Sequence, residues 1–334
     1  MKLNKSDTCP SCGSLNISPL KAYQTIHNGQ RQLNQCKDCE VTFSDTHGTP
    51  MEHLKSPISK VASVLRVRGE GLGLRATARV FGIHKNTVAD WESRFSEQKE
   101  PLMLYAVCHE FMSLTFEGDE LYTIVNKRTE AADSEGWTAI IMDRASRFII
   151  EQRCGKKDEE LFRSVMRTVA DYIKQSDEVT FFSDGERRYG NMLFELCAEA
   201  LRDGRRGRPP KTLPANVKVR IKNKGSKSAK LNRPKYEAPQ NEHPETKQNI
   251  DSADIHANHV EAQNAALRRR NSAFRRRTNT YAKTQEGLQR TLNVHQIIHN
   301  FIRSHWTTGI VPAVAFGIVE EALCLEDILM GRFA

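Results

Sequence analysis

A chain of 334 residues can bury a sizeable core and divide into two or three domains, which argues against one compact domain. The formal charge of +9 is local: Arg202 to Lys235 holds 13 Lys or Arg against one Asp, and Arg268–Arg270 and Arg275–Arg277 add two basic clusters, so a phosphate backbone is the expected partner. The start, M-K-L-N-K-S-D-T-C, lacks the apolar stretch of a signal peptide, and no segment reaches the roughly 20 apolar residues of a membrane span, so a soluble intracellular protein is expected.

Cys9-Pro-Ser-Cys12 and Cys36-Lys-Asp-Cys39 form two C-x2-C pairs separated by 23 residues. A two-residue spacer turns both thiolates of a pair toward one ion, and four soft sulfur ligands suit tetrahedral zinc. The flanking Tyr23–His27 and Arg31–Cys36 read as short strands around Asn28-Gly29, giving a zinc ribbon whose folding energy comes largely from the metal. Two disulfides or unrelated cysteines are the alternative. The other cysteines, Cys108, Cys154, Cys197 and Cys324, are scattered and read as small buried hydrophobes.

Pro57 to Gln98 is helical in pattern, with Ile58, Val61, Ala62 and Leu65 on one face of its first segment. After Gly69, Gly71 and Gly73 comes L-R-A-T-A-R-V-F-G-I-H-K-N-T-V-A-D-W. Small Ala78 permits close helix crossing and Gly82 a tight turn, so a helix-turn-helix is expected with Lys85, Asn86 and Thr87 exposed at the start of its second helix, facing DNA. Trp91 and Phe95 read as core.

Beyond Pro101, Leu114–Phe116, Trp137–Met142 and Phe148–Glu151 read as strands, Asp158–Lys174 as an amphipathic helix and Val179–Phe182 as a further strand. This order fits a ribonuclease-H-like mixed sheet. It sets Asp119 just after the first strand and Asp184 after the last, while Glu261 lies in a helical stretch that puts Asn264 and Arg268 near the same face. Three acidic residues meeting in this way supply the hard oxygen ligands that magnesium or manganese takes. Asp143, in I-I-M-D-R-A-S-R-F, is better explained as a turn residue accepting backbone hydrogen bonds. His256 and His259 are weak as metal ligands.

Between Asp184 and Glu261 lies a basic insertion, residues 202–250, with Arg206, Arg208 and Lys211 as candidate DNA contacts. Gly207-Arg208-Pro209 resembles an AT-hook that enters an A·T-rich minor groove; flexible, non-specific phosphate binding is the equal alternative. Arg269, Arg270, Arg275, Arg276 and Arg277 extend a polar strip, with Ser272 and Tyr281, suited to phosphate contacts. Ile297, Ile298, Phe301 and Ile302, at helical spacing, are expected to close the catalytic core.

The joint pattern resembles bacterial insertion-sequence transposases with zinc ribbon, helix-turn-helix and DDE catalytic domain, especially the insertion-sequence-one group. The resemblance covers roughly residues 6–305 and is carried by the four cysteines, L-R-A-T-A-R-V-F-G-I, G-D-E-L-Y, F-F-S-D-G-E-R-R-Y-G and H-V-E-A-Q-N-A-A-L-R-R-R. It implies that Asp119, Asp184 and Glu261 are the catalytic triad, that Arg268 is their basic companion, and that the chain binds terminal inverted repeats. The expected fold is multidomain α+β: a zinc ribbon (1–50), a helix-turn-helix domain (51–100), a ribonuclease-H-like catalytic domain (101–310) and a C-terminal tail (311–334). The expected cofactors are structural Zn2+ and catalytic Mg2+ or Mn2+, and the expected partners are inverted-repeat and target double-stranded DNA. Coordinating two ends implies at least a dimer on DNA; the family resemblance implies a bacterial, cytoplasmic, nucleoid-associated protein. A DNA-binding repressor without catalysis and a ribonuclease-H-like nuclease are the alternatives.

Overall fold

The computed structural model describes residues 8–126, 130–200, 209, 211–221, 224–227, 234–236, 240–241, 256–275 and 279–332. The chain forms two compact units, one of residues 1–102 with 293–334 and one of residues 103–292.

The first unit opens with an antiparallel sheet of β1 (Ile17–Gln24), β2 (Gln30–Cys36) and β3 (Thr42–Ser44), in that order. β1 ends earlier than the sequence suggests. Thr25 uses both its backbone N–H and its hydroxyl to donate to the Gly29 carbonyl, at 2.9 and 2.8 Å, and so closes a five-residue turn around Asn28, with Gly29 at φ 65°. Among the described residues the buried apolar cluster here is Cys9, Cys36 and Phe43, with Ile17 and Cys39 half-buried against it, which is too small to hold a fold unaided.

Three helices follow, α1 (Ile58–Gly69), α2 (Leu74–Phe81) and α3 (Lys85–Ser96), then α4 (Lys99–Val107). Gly82 ends α2 in the left-handed conformation at φ 61°, and the Ile83 N–H donates back to the Ala78 carbonyl, so the turn into α3 is tight as expected. Val61, Leu65, Val88, Trp91 and Phe95 are buried between these helices, and a buried ion pair joins Arg68 to Glu92 at 2.8 Å.

The C-terminal segment departs from the expected limits. Ile297, Ile298 and Phe301 are buried, but residues from 293 onward group with residues 1–102 rather than with the sheet of the second unit. Ile298 packs so closely on Gly69 that a Cβ there would meet it at 2.8 Å, and the short helix Leu325–Met330 lies against α1. The helical spacing of these residues reveals an apolar face; it does not say which unit that face covers.

The second unit is built on a mixed sheet of β4 (Phe111–Tyr122), β5 (Trp137–Asp143), β6 (Ile149–Gly155), β7 (Ser176–Ser183) and β10 (Val217–Ile221), with the two-residue β13 (Gln240–Asn241) at one edge. The order is β13-β10-β7-β4-β5-β6. β4, β5 and β6 are joined antiparallel, while β7 pairs parallel with β4, and β10 pairs parallel with β7. Short pairs β8 (Glu199–Ala200) with β9 (Lys211–Thr212), and β11 (Lys224–Lys227) with β12 (Pro234–Tyr236), stand apart from it.

Helix α5 (Glu159–Lys174) carries β6 over to β7 and is capped by Asp158, whose carboxylate accepts from the Leu161 N–H at 3.1 Å. Its Phe162, Val165, Met166 and Val169 are buried, and it packs beside α6 (Arg188–Cys197). A separate core joins Leu121, Ile140, Met142 and Ile149 of the sheet to Val260 and Leu267 of α7 (Asn258–Arg270) and to Leu288 and Leu292 of α8 (Gln285–Ile297). Of the four scattered cysteines, Cys154 is buried as expected, Cys197 is half-buried, and Cys108 and Cys324 are exposed.

Candidate active site and metal centre

Strand register brings Asp119 to Asp184. In the parallel β4–β7 ladder Phe116 pairs with Phe181, Glu117 with Phe182 and Gly118 with Ser183, so the next residues on the two chains are Asp119 and Asp184. Parallel neighbours in a sheet lie about 5 Å apart. Gly185 follows at φ 73° and turns the chain away. β4 itself continues to Tyr122, paired with β5, so Asp119 sits inside the strand rather than after it. Gly118 is required there, because a Cβ would meet the Phe181 ring at 2.8 Å and the Tyr189 ring at 3.3 Å.

Helix α7 covers the face of β4 that carries Glu117 and Asp119. Asn264 Nδ2 donates to Asp119 Oδ2 at 2.7 Å. Glu261, exposed in the first turn of α7, lies one turn before Asn264, and Arg268, half-buried, lies about one turn after it. Burial pushes the Asp119 carboxyl up to about 6, and the like charges of Glu120, Glu261 and Asp184 add to the rise against the opposing Glu120 N–H. The three sequence-predicted carboxylates thus share one electrostatic neighbourhood, built from two strands and a helix far apart in the chain.

Their oxygens are not drawn into a closed ligand set. Among the described residues, the groups of three or more whose ligating atoms lie within 4.8 Å of one another are the four cysteines and Glu117 with His256 and His259. The donors at Asp119, Asp184 and Glu261 are nonetheless of the kind Mg2+ or Mn2+ takes, and mutually repelling, partly buried carboxylates are what a divalent cation relieves.

Glu117 is already engaged. It is fully buried; its Oε2 accepts from the His259 and Val260 N–H groups at 2.9 and 3.0 Å, and its Oε1 from Arg144 Nε at 2.6 Å, with His259 Nδ1 2.7 Å away. A guanidinium beside a saturated carboxylate opposes a cation, so this group holds α7 rather than a metal. On the opposite side of β4, Lys157 Nζ stands 2.9 Å from Glu120 and 3.4 Å from Glu186, which pairs with Arg188. Asp143 accepts from the Ser146 N–H and hydroxyl at 2.8 and 2.6 Å, the turn role expected of it.

The four cysteines fit zinc. Cys9 Sγ is 3.5 Å from Cys39 Sγ and Cys12 Sγ 3.6 Å from Cys36 Sγ. A tetrahedral Zn–S4 site has sulfur separations of roughly 3.8 Å. Burial opposes ionisation of Cys9, but the N–H groups of Cys12 and Ser11, together with the Cys39 and Cys12 thiols, outweigh it and bring that thiol below its usual range, while Cys12 and Cys39 beside it are pushed up by the neighbouring sulfurs.

Of the candidate DNA contacts, Lys85 and Asn86 are exposed and Thr87 half-buried in the first turn of α3, where His84 Nδ1 accepts from the Asn86 N–H. Lys211, Arg269 and Arg275 are exposed and Arg270 is half-buried; Arg206, Arg208, Arg276 and Arg277 lie outside the described residues, as does the AT-hook-like Gly207-Arg208. Ser272, expected on a polar strip, is buried beside Ala273 and Phe274. Sequence reasoning missed Glu117 and Arg144. The available signal was the two-residue step from Glu117 to Asp119, which puts both on one face of a strand.

No protein-family model matches the chain, and no curated protein matches it. Among solved structures it is similar to one titled as a pre-cleavage Mos1 transpososome, at 12% identity and a TM-score of 0.16, over 43% of this chain and 59% of that one. It is likewise similar to one titled as the Mos1 strand transfer complex, at 11% identity and a TM-score of 0.15, over 41% and 55%. The match thus spans less than two thirds of either of those chains. Among the described residues no helix is long and apolar enough to cross a membrane.

Proposed function

We propose that this chain is a DNA transposase of the insertion-sequence-one type, with Asp119, Asp184 and Glu261 as its catalytic carboxylates. The observation that carries this reading is the convergence on Asp119: Asp184 beside it by register, Asn264 of α7 bonded to it, and Glu261 acting on its charge. The strand order, three antiparallel strands with β7 and then β10 added in parallel beside the first, fits a ribonuclease-H-like domain and supports the same reading.

In this proposal Asp119, Asp184 and Glu261 would hold Mg2+ or Mn2+, and Arg268 would grip an adjacent phosphate. When bound, the ions would activate water or a DNA 3′-hydroxyl and stabilise the departing oxygen. Asn264 orients Asp119 by occupying one of its oxygens. Lys157 and Arg188 pair with Glu120 and Glu186, which sets those two acids apart from the reacting centre. Lys85, Asn86 and Thr87 would read inverted-repeat DNA from the start of α3, and the basic residues at 202–250 and 269–277 would hold backbone phosphates. A dimer on DNA follows from the need to hold two ends.

The test is cleavage and strand transfer on end-containing DNA with Mg2+, comparing wild type with Asp119→Ala, Asp184→Ala and Glu261→Ala. Loss of both products in all three is expected. Normal activity in any one removes that residue from the centre; cleavage without joining makes the protein a nuclease, and tight end binding with no scission makes it a repressor.

A further inference from the structure

We propose that Glu117 is a positioning residue that sets the register of α7 on β4 and so delivers Glu261 to the Asp119–Asp184 pair; this rests on the transposase reading. α7 has no side-chain cap of its own, since Ala257 occupies its N-cap position. Two of its orphan first-turn donors, the His259 and Val260 N–H groups, are instead taken by Glu117 from the neighbouring strand. A carboxylate there also meets the positive end of the helix dipole.

A second tie lies further along the same two elements. Asp119 is two residues beyond Glu117 on β4, about 7 Å along the strand. Asn264, which bonds Asp119, is four residues beyond Val260 on α7, about 6 Å along the helix. The two spacings match, so strand and helix are pinned at two points, and Glu261 lies between them. Arg144 locks the first pin: its Nε donates to Glu117 Oε1, and its Nη2 donates to the His256 carbonyl just before α7, at 2.5 Å. A shift of α7 by one residue would break both pins and carry Glu261 away from Asp119.

The test uses the full chain without DNA: Mn2+ is titrated calorimetrically while hydrogen exchange of the α7 amides is followed. Glu117→Gln is expected to weaken Mn2+ binding by roughly 10- to 100-fold and to expose the His259 and Val260 amides. Adding Asn258→Asp puts a new negative charge on the exposed first turn of α7. It is expected to return amide protection without returning Mn2+ affinity, a split that a merely helix-stabilising role does not produce. Full return of affinity in that double variant, or unchanged affinity in Glu117→Gln, overturns the proposal. Because Glu117→Gln strands Arg144 and risks misfolding, Asn264→Ala tests the second pin with the buried cluster intact; its affinity is expected to fall likewise, and unchanged affinity overturns the two-pin register. A wild type that takes no Mn2+ sinks both readings. A wild type that takes Mn2+ but neither cuts nor joins DNA sinks the transposase reading alone, and the affinities still judge Glu117.

Discussion

Asn264 donates to Asp119 across 2.7 Å although 144 residues separate them in the chain. One hydrogen bond thereby ties the helix of the third acidic residue to the strand of the first, and the stability and ion dependence of the protein should bear its mark.

Asp119 should weaken the metal-free protein. Its folded carboxyl is raised from 3.8 to about 6, so between about pH 4 and 6 the folded state holds more protons than the unfolded one, and stability falls as pH rises through that window. By about pH 7.5 ionised Asp119 opposes folding by roughly 1–3 kcal/mol. Asp119→Asn should therefore raise the Tm of metal-free protein at that pH and change it little near pH 4. Mg2+ should stabilise wild type but not the variant. A Tm lowered by the substitution at neutral pH would contradict the burial and like-charge repulsion that raise this carboxyl.

Removing zinc should unfold the ribbon. With an apolar cluster as small as Cys9, Cys36 and Phe43 backed by Ile17 and Cys39, residues 8–50 depend on the ion for their folding energy. One zinc per chain is expected, and chelation or Cys36→Ser should abolish the dispersed NMR signals of this segment and weaken end-DNA binding. A ribbon still folded in excess chelator would sink the assignment.

Gly118→Ala should act on Asp119 through packing. The added methyl meets the Phe181 ring at 2.8 Å, and overpacking of this kind costs about 1–3 kcal/mol. Denaturant unfolding should show that loss, with cleavage reduced because β4 shifts next to the carboxylates. A variant as stable and active as wild type would show that the aromatic layer yields freely.

The start of α3 should carry distinct DNA contacts. Lys85→Ala should weaken binding to all sequences alike and reduce the salt slope by about one, whereas Asn86→Ala should cost about 1–3 kcal/mol on end DNA and relax specificity. Anisotropy titrations at several salt concentrations separate the two. Equal loss on end and random DNA from both variants would reduce this helix to a phosphate contact.

Much of this was legible in the chain because local rules govern it. The C-x2-C spacing located the ribbon, Ala78 and Gly82 located the tight turn, and the apolar runs before Asp119 and Asp184 located their strands. Charge hid the true length of β4: Glu117 and Asp119 look like a strand end, yet they are met by Arg144 from the turn between β5 and β6, and by His259 and Asn264 on a helix whose sequence lies more than a hundred residues away. The partner of the C-terminal apolar face was equally hidden, because periodicity marks a buried stripe without naming what covers it.

Anomalous diffraction from crystals of the full chain with end DNA and Mn2+ tests the shared carboxylate site most directly. The expected result is Mn2+ density bounded by oxygens of Asp119, Asp184 and Glu261. Density at Glu117, His256 and His259 instead, or Mn2+ held without Glu261, would contradict it.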